Sequence, residues 1–233
     1  MLQLSENAKK LYDLLFTKEF SLEALKRELA TGMYTPDDVS IAGFQYVDDC
    51  ICDLVDEDWK TPRRPRGKVL PGYCSSHMLE ALKCLLEYGL DPNAVYVEGS
   101  DQCNIMSELR YVENGYLAAD SLALLLDHGG NPCIKLNGGS FVRDVNTDLI
   151  FDLNNQRDRT RFDNLVHYWM VLVGYGAKLE DGQETIDLCP GHDVSELKNH
   201  RDFYYGAIHS DRSDDHMEIC FFNKHTNWEV GRF

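Results

Sequence analysis

Apolar residues recur at helical spacing before four glycines that lie far apart in the chain: Gly32, Gly89, Gly129 and Gly176. The positions three, seven and ten residues before each glycine are apolar in all four segments. The residues at these positions are Leu22, Leu25, Leu29, Leu79, Leu82, Leu86, Ala119, Leu122, Leu126, Val166, Trp169 and Val173. Side chains at this spacing form one face of a helix, and a glycine at its end supplies the left-handed residue that commonly closes it. The pattern therefore predicts four similar helices, each closed by its glycine.

Each of these helices follows another segment with near-helical apolar spacing. We expect those first helices over residues 5–17, 40–54, 104–112 and 145–153, and second helices that include 21–30 and 161–173. Ser5 and Ser21 are the expected capping residues of the first two helices. The segments MYTPDD (33–38) and NNQRDRT (154–160) are expected to be loops between helices. A repeated helical hairpin buries its apolar face against its neighbours, so the repeat predicts a stack. The expected fold is mainly α, a helical-hairpin solenoid of about four irregular units over residues 1–185.

Two of the turn segments resemble a known repeat family. CLLEYGLDPNAV (84–95) and ALLLDHGGNPCI (123–134) are similar to the second helix and following turn of an ankyrin repeat, and VLVGYGAKLEDG and ELATGMYTPDDV resemble looser versions. The resemblance covers roughly residues 4–185 and implies a divergent ankyrin-like array with long loops. It also implies protein binding through the loop after each second helix and the exposed side of each first helix. Another kind of helix-pair solenoid is the alternative.

The apolar pattern changes after Asp202. FYYGAIH, MEICFFN and WEVGRF are short aromatic and β-branched runs separated by polar segments, which is typical of a three-stranded antiparallel meander. A short helix over 195–199 should precede it. Such a meander is barely stable alone, so we expect residues 186–233 to form a C-terminal β cap on the last hairpin. Trp169, which replaces leucine in the repeated pattern, is the expected meeting point.

Charge is the strongest bulk property. The chain has 39 acidic and 23 basic residues, for a net charge of −16. This balance argues against a nucleic-acid ligand, which needs a positive protein face. It is explained either by solubility or by electrostatic steering of a basic protein partner. The carboxylates are dense between Asp37 and Asp58, whereas residues 60–68 form a basic, proline-containing segment that we expect to be a loop.

Redox state and location follow from what the sequence lacks. The eight cysteines include no Cys-x-x-Cys pair, and several stand on apolar helix faces, so we expect reduced thiols. There is no apolar run of signal-peptide or membrane-spanning length. The chain is therefore expected to be a soluble, cytoplasmic monomer that does not bind a membrane.

The C-terminal region contains most of the residue types used in metal and acid–base chemistry. They are Cys189, His192, Asp193, His200, His209, Asp211, Asp214, Asp215, His216, Cys220 and His225. Their spacing matches no zinc, calcium, phosphate-loop or nucleophile motif, so no catalytic residue, metal ligand or cofactor is predicted. A metal-dependent hydrolase or metal-binding protein that uses this region is the alternative function.

Recognition of another protein is the leading functional hypothesis. The contact residues that the ankyrin resemblance implies are Tyr34, Asp37, Asp38, Asp91, Asn93, Tyr96, Glu98, Asp101, Asn131, Lys135 and Asn137. Tyrosines among carboxylates give contact area and set the charge of the partner. A specific form of this hypothesis is an inhibitor or immunity-type protein that covers a cationic active site. A structural subunit that associates through the edge of the β cap is a third possibility.

Overall fold

The computed structural model describes residues 3–17, 19–52, 77–112, 114–140, 156–178, 187–209, 217–227 and 229–232. Its contacts divide the chain into two compact units, Met1–Asn131 and Pro132–Phe233. The described chain is mainly α, as the apolar pattern predicts. The predicted domain boundary between residues 185 and 186 falls inside the second unit, in a stretch outside the described residues. The basic segment 60–68 and the predicted helix 145–153 also lie outside them.

The first unit contains helical hairpins. Its described helices are α1 (Glu6–Leu15), α2 (Leu22–Leu29), α3 (Pro36–Cys52), α4 (Met78–Glu87), α5 (Ile105–Leu109) and α6 (Gly115–Asp127). Consecutive helices pack in pairs, α1 on α2, α3 on α4 and α5 on α6. The odd-numbered helices also pack in one row, and the even-numbered helices pack in a second row. Each pair thus buries its apolar face partly within the hairpin and partly against the next hairpin.

The helix starts in this unit follow the predicted capping residues. The Ser5 hydroxyl accepts a hydrogen bond from Ala8 N at 3.0 Å, and the Ser21 hydroxyl accepts one from Ala24 N at 3.2 Å. A capping side chain satisfies one of the backbone donors that a helix leaves unpaired in its first turn. Both predicted starts are confirmed, and Ala8, Leu11 and Leu15 form the buried stripe of α1.

The four closing glycines share one backbone geometry. Gly32, Gly89, Gly129 and Gly176 have φ of +70°, +98°, +92° and +86°. The N–H of each donates to the carbonyl three residues earlier, at 2.8–3.2 Å. After Gly89, Gly129 and Gly176 the next N–H donates to the carbonyl five residues earlier, which completes a Schellman motif. The predicted glycine closures are confirmed.

The repeated apolar positions are not equally buried. The position seven before the glycine is the best buried, since Leu25, Leu82, Leu122 and Trp169 are all 0–1% exposed. Burial at the position ten residues before the glycine varies from one helix to another. The expectation that Leu79 faces the core is wrong, because this side chain is 37% exposed. Met78 occupies the buried face of α4 instead. At 3.6 residues per turn, the side chain of Leu79 is rotated about 100° from that of Met78.

Helix α3 begins earlier than the predicted residue 40, and this corrects the assignment of residues 36–38 to a loop. Pro36 is the first helical residue, where proline loses no intrahelical hydrogen bond. The Thr35 hydroxyl accepts from Asp38 N at 3.1 Å, and the Asp38 carboxylate accepts from Thr35 N at 3.0 Å. The sequence Thr-Pro-Asp-Asp is therefore a helix start, not a free turn.

Two further loops predicted from the sequence are β-hairpins. Strands β1 (Val95–Glu98) and β2 (Asp101–Asn104) pair antiparallel across Gly99 and Ser100 in the first unit. In the second unit β3 (Lys135–Leu136) and β4 (Gly139–Ser140) pair across Asn137 and Gly138, whose φ values are +52° and +78°. Positive φ at both central residues is the geometry of a type I′ turn.

The second unit combines a long helix with a small sheet. Helix α7 (Gln156–Gly174) starts within the segment NNQRDRT, so residues 156–160 are helical and not a loop. A 3₁₀ helix (Val194–Asp202) leads into β6 (Phe203–His209), β7 (Met217–Asn223) and β8 (Glu229–Arg232). These three strands form the predicted meander, and β5 (Asp187–Leu188) adds a fourth strand beside β8.

The C-terminal segment packs on α7, as predicted from Trp169. The Trp169 ring is 1% exposed and stacks on Phe221 of β7, with 5.6 Å between centroids. The 3₁₀ helix passes so close to the end of α7 that a Cβ on Gly174 would lie 2.5 Å from Lys198 N. An aromatic stack and a close backbone approach therefore hold this segment against the helix.

Candidate protein-binding surface

The candidate site is formed by α3, the turn after α4, the β1–β2 hairpin and α5, all within the first unit. We call it the acidic surface and define it as Asp37, Asp48, Asp91, Tyr96, Glu98, Asp101, Cys103 and Glu108. Residues alternate along β1, so that Tyr96 and Glu98 are partly buried while Val95 and Val97 are 42% and 60% exposed. The hairpin thus turns one face to the helices and leaves the other in solvent.

Tyr96 is the aromatic centre of the acidic surface. Its ring lies 4.5 Å from the ring of the buried Phe44 on α3, measured between centroids. Burial raises the pKa of the Tyr96 phenol, and the carboxylates of Asp91 and Asp37 raise it further. Asp37, Asp91 and Tyr96, which the sequence places in separate segments, are therefore close enough to interact electrostatically.

Cys103 is the second centre, directly opposite Tyr96 across the hairpin. Burial raises the pKa of the Cys103 thiol to about 11, and the carboxylates of Glu108, Glu98, Asp48 and Asp101 add to this effect. A nearby negative charge disfavours the thiolate, so the part of the shift that burial does not cause comes from these four carboxylates. Glu98 and Asp101 were predicted contact residues.

Sequence reasoning missed three members of this surface: Asp48, Cys103 and Glu108. On α3, Phe44 follows Asp37 by seven residues and Asp48 follows Phe44 by four. The three residues therefore lie on one helical stripe, which a longer reading of that helix could have found. Cys103 could be assigned to this surface only by recognising the β1–β2 hairpin. The sequence signal for that hairpin was the strand-like run VYVE before Gly99 and Ser100. We know of no signal for Glu108.

Asp38 and Tyr34, also predicted contacts, are engaged within the protein. Asp38 is 9% exposed, and its carboxylate accepts hydrogen bonds from Ser5 Oγ, Thr35 N and Thr35 Oγ1. Burial raises the pKa of Asp38, but these hydrogen bonds outweigh burial and lower it. The Tyr34 hydroxyl donates to the Glu28 carboxylate, which also accepts from Lys10 Nζ at 2.6 Å.

Asn93 ties two successive turns together. Its side-chain nitrogen donates to Gly129 O at 2.9 Å, and its side-chain oxygen accepts from Asn131 N at 2.7 Å. Both ends of the Asn93 amide therefore contribute to spacing between hairpins, in addition to any role in contacting a partner. Lys135 and Asn137 are exposed on the β3–β4 hairpin of the second unit.

Comparison with protein-family models, with curated proteins and with solved structures finds no match to this chain.

Two of the C-terminal residues considered for metal chemistry, Asp193 and His225, make local contacts with neighbouring residues. Asp193 caps the 3₁₀ helix by accepting from Ser195 N at 2.9 Å, and His225 Nε2 lies 3.3 Å from Asp202. Among the described residues, no group of three His, Cys, Asp or Glu side chains is placed to hold a metal ion. Asp211, Asp214, Asp215 and His216 lie outside that part of the chain, as does the His209 side chain. None of the described helices is long and apolar enough to cross a membrane.

Proposed function

We propose that this protein is a non-enzymatic module that recognises a basic protein partner through the acidic surface. One observation carries the proposal: carboxylates from α3, the turn after α4, the β1–β2 hairpin and α5 converge around Tyr96 and Cys103 and, together with burial, raise the pKa of both. Like charges that repel one another in the free protein are stabilised when a cationic surface covers them. Binding then relieves the repulsion, and the negative potential also speeds encounter.

We further propose that the helices form an ankyrin-like stack. Support comes from the two rows of helices in the first unit, the shared closure at the glycines and the Asn93 bridge between successive turns. In such a stack the hairpins after the second helices project from one edge. The exposed Val95 and Val97 on the outer face of β1 then lie beside the carboxylates and provide apolar contact area.

The partner should present a positive patch, as the catalytic site of a nucleic-acid-cleaving enzyme does. An inhibitor or immunity-type role for a monomeric, cytoplasmic protein is the specific form of this proposal. Its support is the net charge of −16 and the position of the carboxylates on one continuous part of the first unit.

The test compares two charge-reversed baits with the wild-type protein. Glu98→Lys with Asp101→Lys reverses charge within the acidic surface, whereas Glu19→Lys with Glu87→Lys makes the same change in net charge at exposed sites on other elements. Proteins captured from cells of the native source by all three baits are compared. A partner that is retained by the wild type and by the control pair, and lost from the Glu98/Asp101 pair, binds the acidic surface.

Kinetics with that isolated partner provide the second readout. We expect the association rate to fall about tenfold in the Glu98/Asp101 pair and to fall steeply with ionic strength as the Debye length shortens from about 30 to about 10 Å. Thermal melting of each variant confirms that it is folded. A partner held equally by all three proteins, or an association rate indifferent to salt, contradicts the proposal.

A further inference from the structure

Two histidines meet inside the second unit. His167 lies on α7 and His200 in the 3₁₀ helix, and their Nδ1 atoms are 3.4 Å apart. The rings meet edge to face with 5.4 Å between centroids. His200 is 3% exposed, and His167 is partly buried. This contact belongs to the same helix-to-segment packing as the Trp169 stack and the Gly174 approach.

Charge decides whether this contact is stable. A hydrogen bond between two imidazole nitrogens needs one N–H donor and one lone pair, so at least one ring must be neutral. When both rings carry a proton, two N–H groups and two positive charges face each other in a partly dehydrated site. One proton from solvent on each ring is enough to turn the attraction into repulsion.

The neighbouring charged groups increase that repulsion. Arg201 and Lys224 both act electrostatically on His167, and Lys224 Nζ is fixed nearby by donating to Arg201 O at 2.7 Å. Asp202, the described carboxylate next to them in the chain, has His225 Nε2 at 3.3 Å. Lys198, at the other end of the contact, lies over the Tyr175 ring at 4.4 Å.

We propose that the His167–His200 contact is an acid-sensitive latch: protonation of the two imidazoles releases the 3₁₀ helix and strand β7 from α7 while the first unit remains folded. Above neutral pH the pair is neutral and the segment is held. In acid, the segment separates and exposes the apolar face of α7 around Trp169.

The direction of the pH dependence follows from the folded and open states. Burial, followed by the charges of His200, Lys224 and Arg201, lowers the pKa of His167 from its ordinary value of 6.5 to about 4, against a smaller opposing effect of a hydrogen bond with the His200 backbone. The open state recovers the ordinary value and therefore binds more protons between these limits. The latch is fully stable above about pH 6.5 and loses stability as the pH falls toward about 4.

Trp169 is the reporter for this opening. In the full chain carrying Trp59→Phe and Trp228→Phe, Trp169 is the remaining tryptophan. We expect its emission to shift to longer wavelength, and its quenching by acrylamide to rise, with a midpoint between about pH 4 and pH 6.5. Hydrogen exchange of α1–α6 peptides should stay protected through the same transition.

Variants separate the latch from general acid unfolding. His200→Gln keeps a hydrogen-bonding side chain without titration, so the transition should move to lower pH, because only burial, Lys224 and Arg201 then lower the pKa of His167. Lys224→Met should move the midpoint to lower pH, because the closed state then accepts the proton more readily, and this variant remains informative if His200→Gln does not fold. His128→Gln, in the exposed C-terminal turn of α6, should leave the midpoint unchanged.

Three results would overturn the proposal: a His200→Gln protein with the wild-type transition, a Lys224→Met midpoint that does not move, or exposure of Trp169 only together with loss of protection in α1–α6.

The separation of 3.4 Å between the two Nδ1 atoms would also suit two nitrogens bound to one zinc ion. The titration is therefore repeated with EDTA and with Zn²⁺. An unchanged midpoint supports the proton latch, and a midpoint lowered by Zn²⁺ reassigns the pair as metal ligands.

Discussion

The acidic surface and the His167–His200 pair both bring groups of like charge together, but they do so in different surroundings. Around Cys103 the carboxylates come from partly or fully exposed positions, where water screens their repulsion. Around His167 the imidazoles and nearby cations meet in a contact where His200 is 3% exposed. The first region exposes its carboxylates to solvent, whereas in the second region burial and nearby cations disfavour the charged form of His167.

This difference separates recognition from stability. Exposed repulsion costs the fold little and can be relieved by a partner, so it should be seen as a salt-dependent association rate. Buried repulsion acts on the packing itself and should be seen as a pH-dependent opening. The substitutions below test whether the exposure of a charged group determines if it affects binding or stability.

The largest expected effect is on the packing of the second region. Trp169→Ala removes a ring that is 1% exposed and stacked on Phe221, and we expect it to lower the free energy of unfolding of the second unit by about 3–5 kcal/mol. Val97→Ala, at a position 60% exposed beside the acidic surface, should change the unfolding free energy of the first unit by less than about 0.5 kcal/mol.

Urea denaturation followed by far-ultraviolet circular dichroism measures both variants. A loss below about 1 kcal/mol for Trp169→Ala would mean that the C-terminal segment is not held by this stack. In that case the latch would have no apolar contact to open.

Asp38 and Asp37 are a buried and an exposed carboxylate in the same helical turn, so they allow the two surroundings to be compared directly. Asp38→Asn replaces a buried carboxylate that accepts from Ser5 and Thr35, and should cost about 2 kcal/mol at neutral pH. Asp37→Asn alters an exposed neighbour in the same turn and should cost about 0.5 kcal/mol or less.

The pH dependence of the Asp38 effect has a definite sign. Its hydrogen bonds outweigh burial and hold the pKa below the ordinary 3.8, so the carboxylate stabilises the fold above that value and loses its contribution as the pH falls below it. Unfolding curves of Asp38→Asn and the wild type should therefore converge in strong acid. Equal losses for Asp37→Asn and Asp38→Asn would show that the helix terminus, and not burial, sets the cost.

Local signals made much of the fold predictable. Ser5 and Ser21 cap helices because a hydroxyl at that position has few better partners than the free N–H groups of the first turn. The four glycines close helices because they adopt positive φ without strain. Trp169 and the aromatic strand runs indicated the packing of the C-terminal segment. Trp169 replaces leucine in the last of the four repeated helices, and the aromatic runs that follow Asp202 supply rings for it to contact.

What the sequence did not reveal depended on contacts between segments. Asp38 reads as a loop acid, and only the approach of Ser5 from α1 shows that it is buried and hydrogen-bonded. Cys103 and Asp48 are far apart in the chain and come together because the β1–β2 hairpin folds back on α3. The His167–His200 contact joins two elements whose spacing carries no motif. Charge and residue type were visible in the sequence, whereas exposure was not.

The smallest expected effect on stability belongs to a pair of substitutions near Cys103, whose result is measured as the reactivity of this thiol. Glu98→Gln with Asp101→Asn removes two of the carboxylates that, together with burial, raise the pKa of this thiol. Its alkylation by iodoacetamide at mildly alkaline pH should become several-fold faster, because the thiolate is the reactive form. The free energy of unfolding should change by less than about 0.5 kcal/mol.

Peptide mass spectrometry follows each cysteine in the same sample, so the exposed Cys133 reports whether the reagent itself reacts equally with both proteins. Glu19→Gln with Glu87→Gln makes the same change in net charge and should leave the Cys103 rate unaltered. If both pairs accelerate Cys103 equally, the thiol senses the net charge of the chain and not a local concentration of carboxylates. The acidic surface would then be an ordinary acidic exterior, and the argument for a basic partner at that position would fail even though the pH-dependent latch in the second unit could still operate.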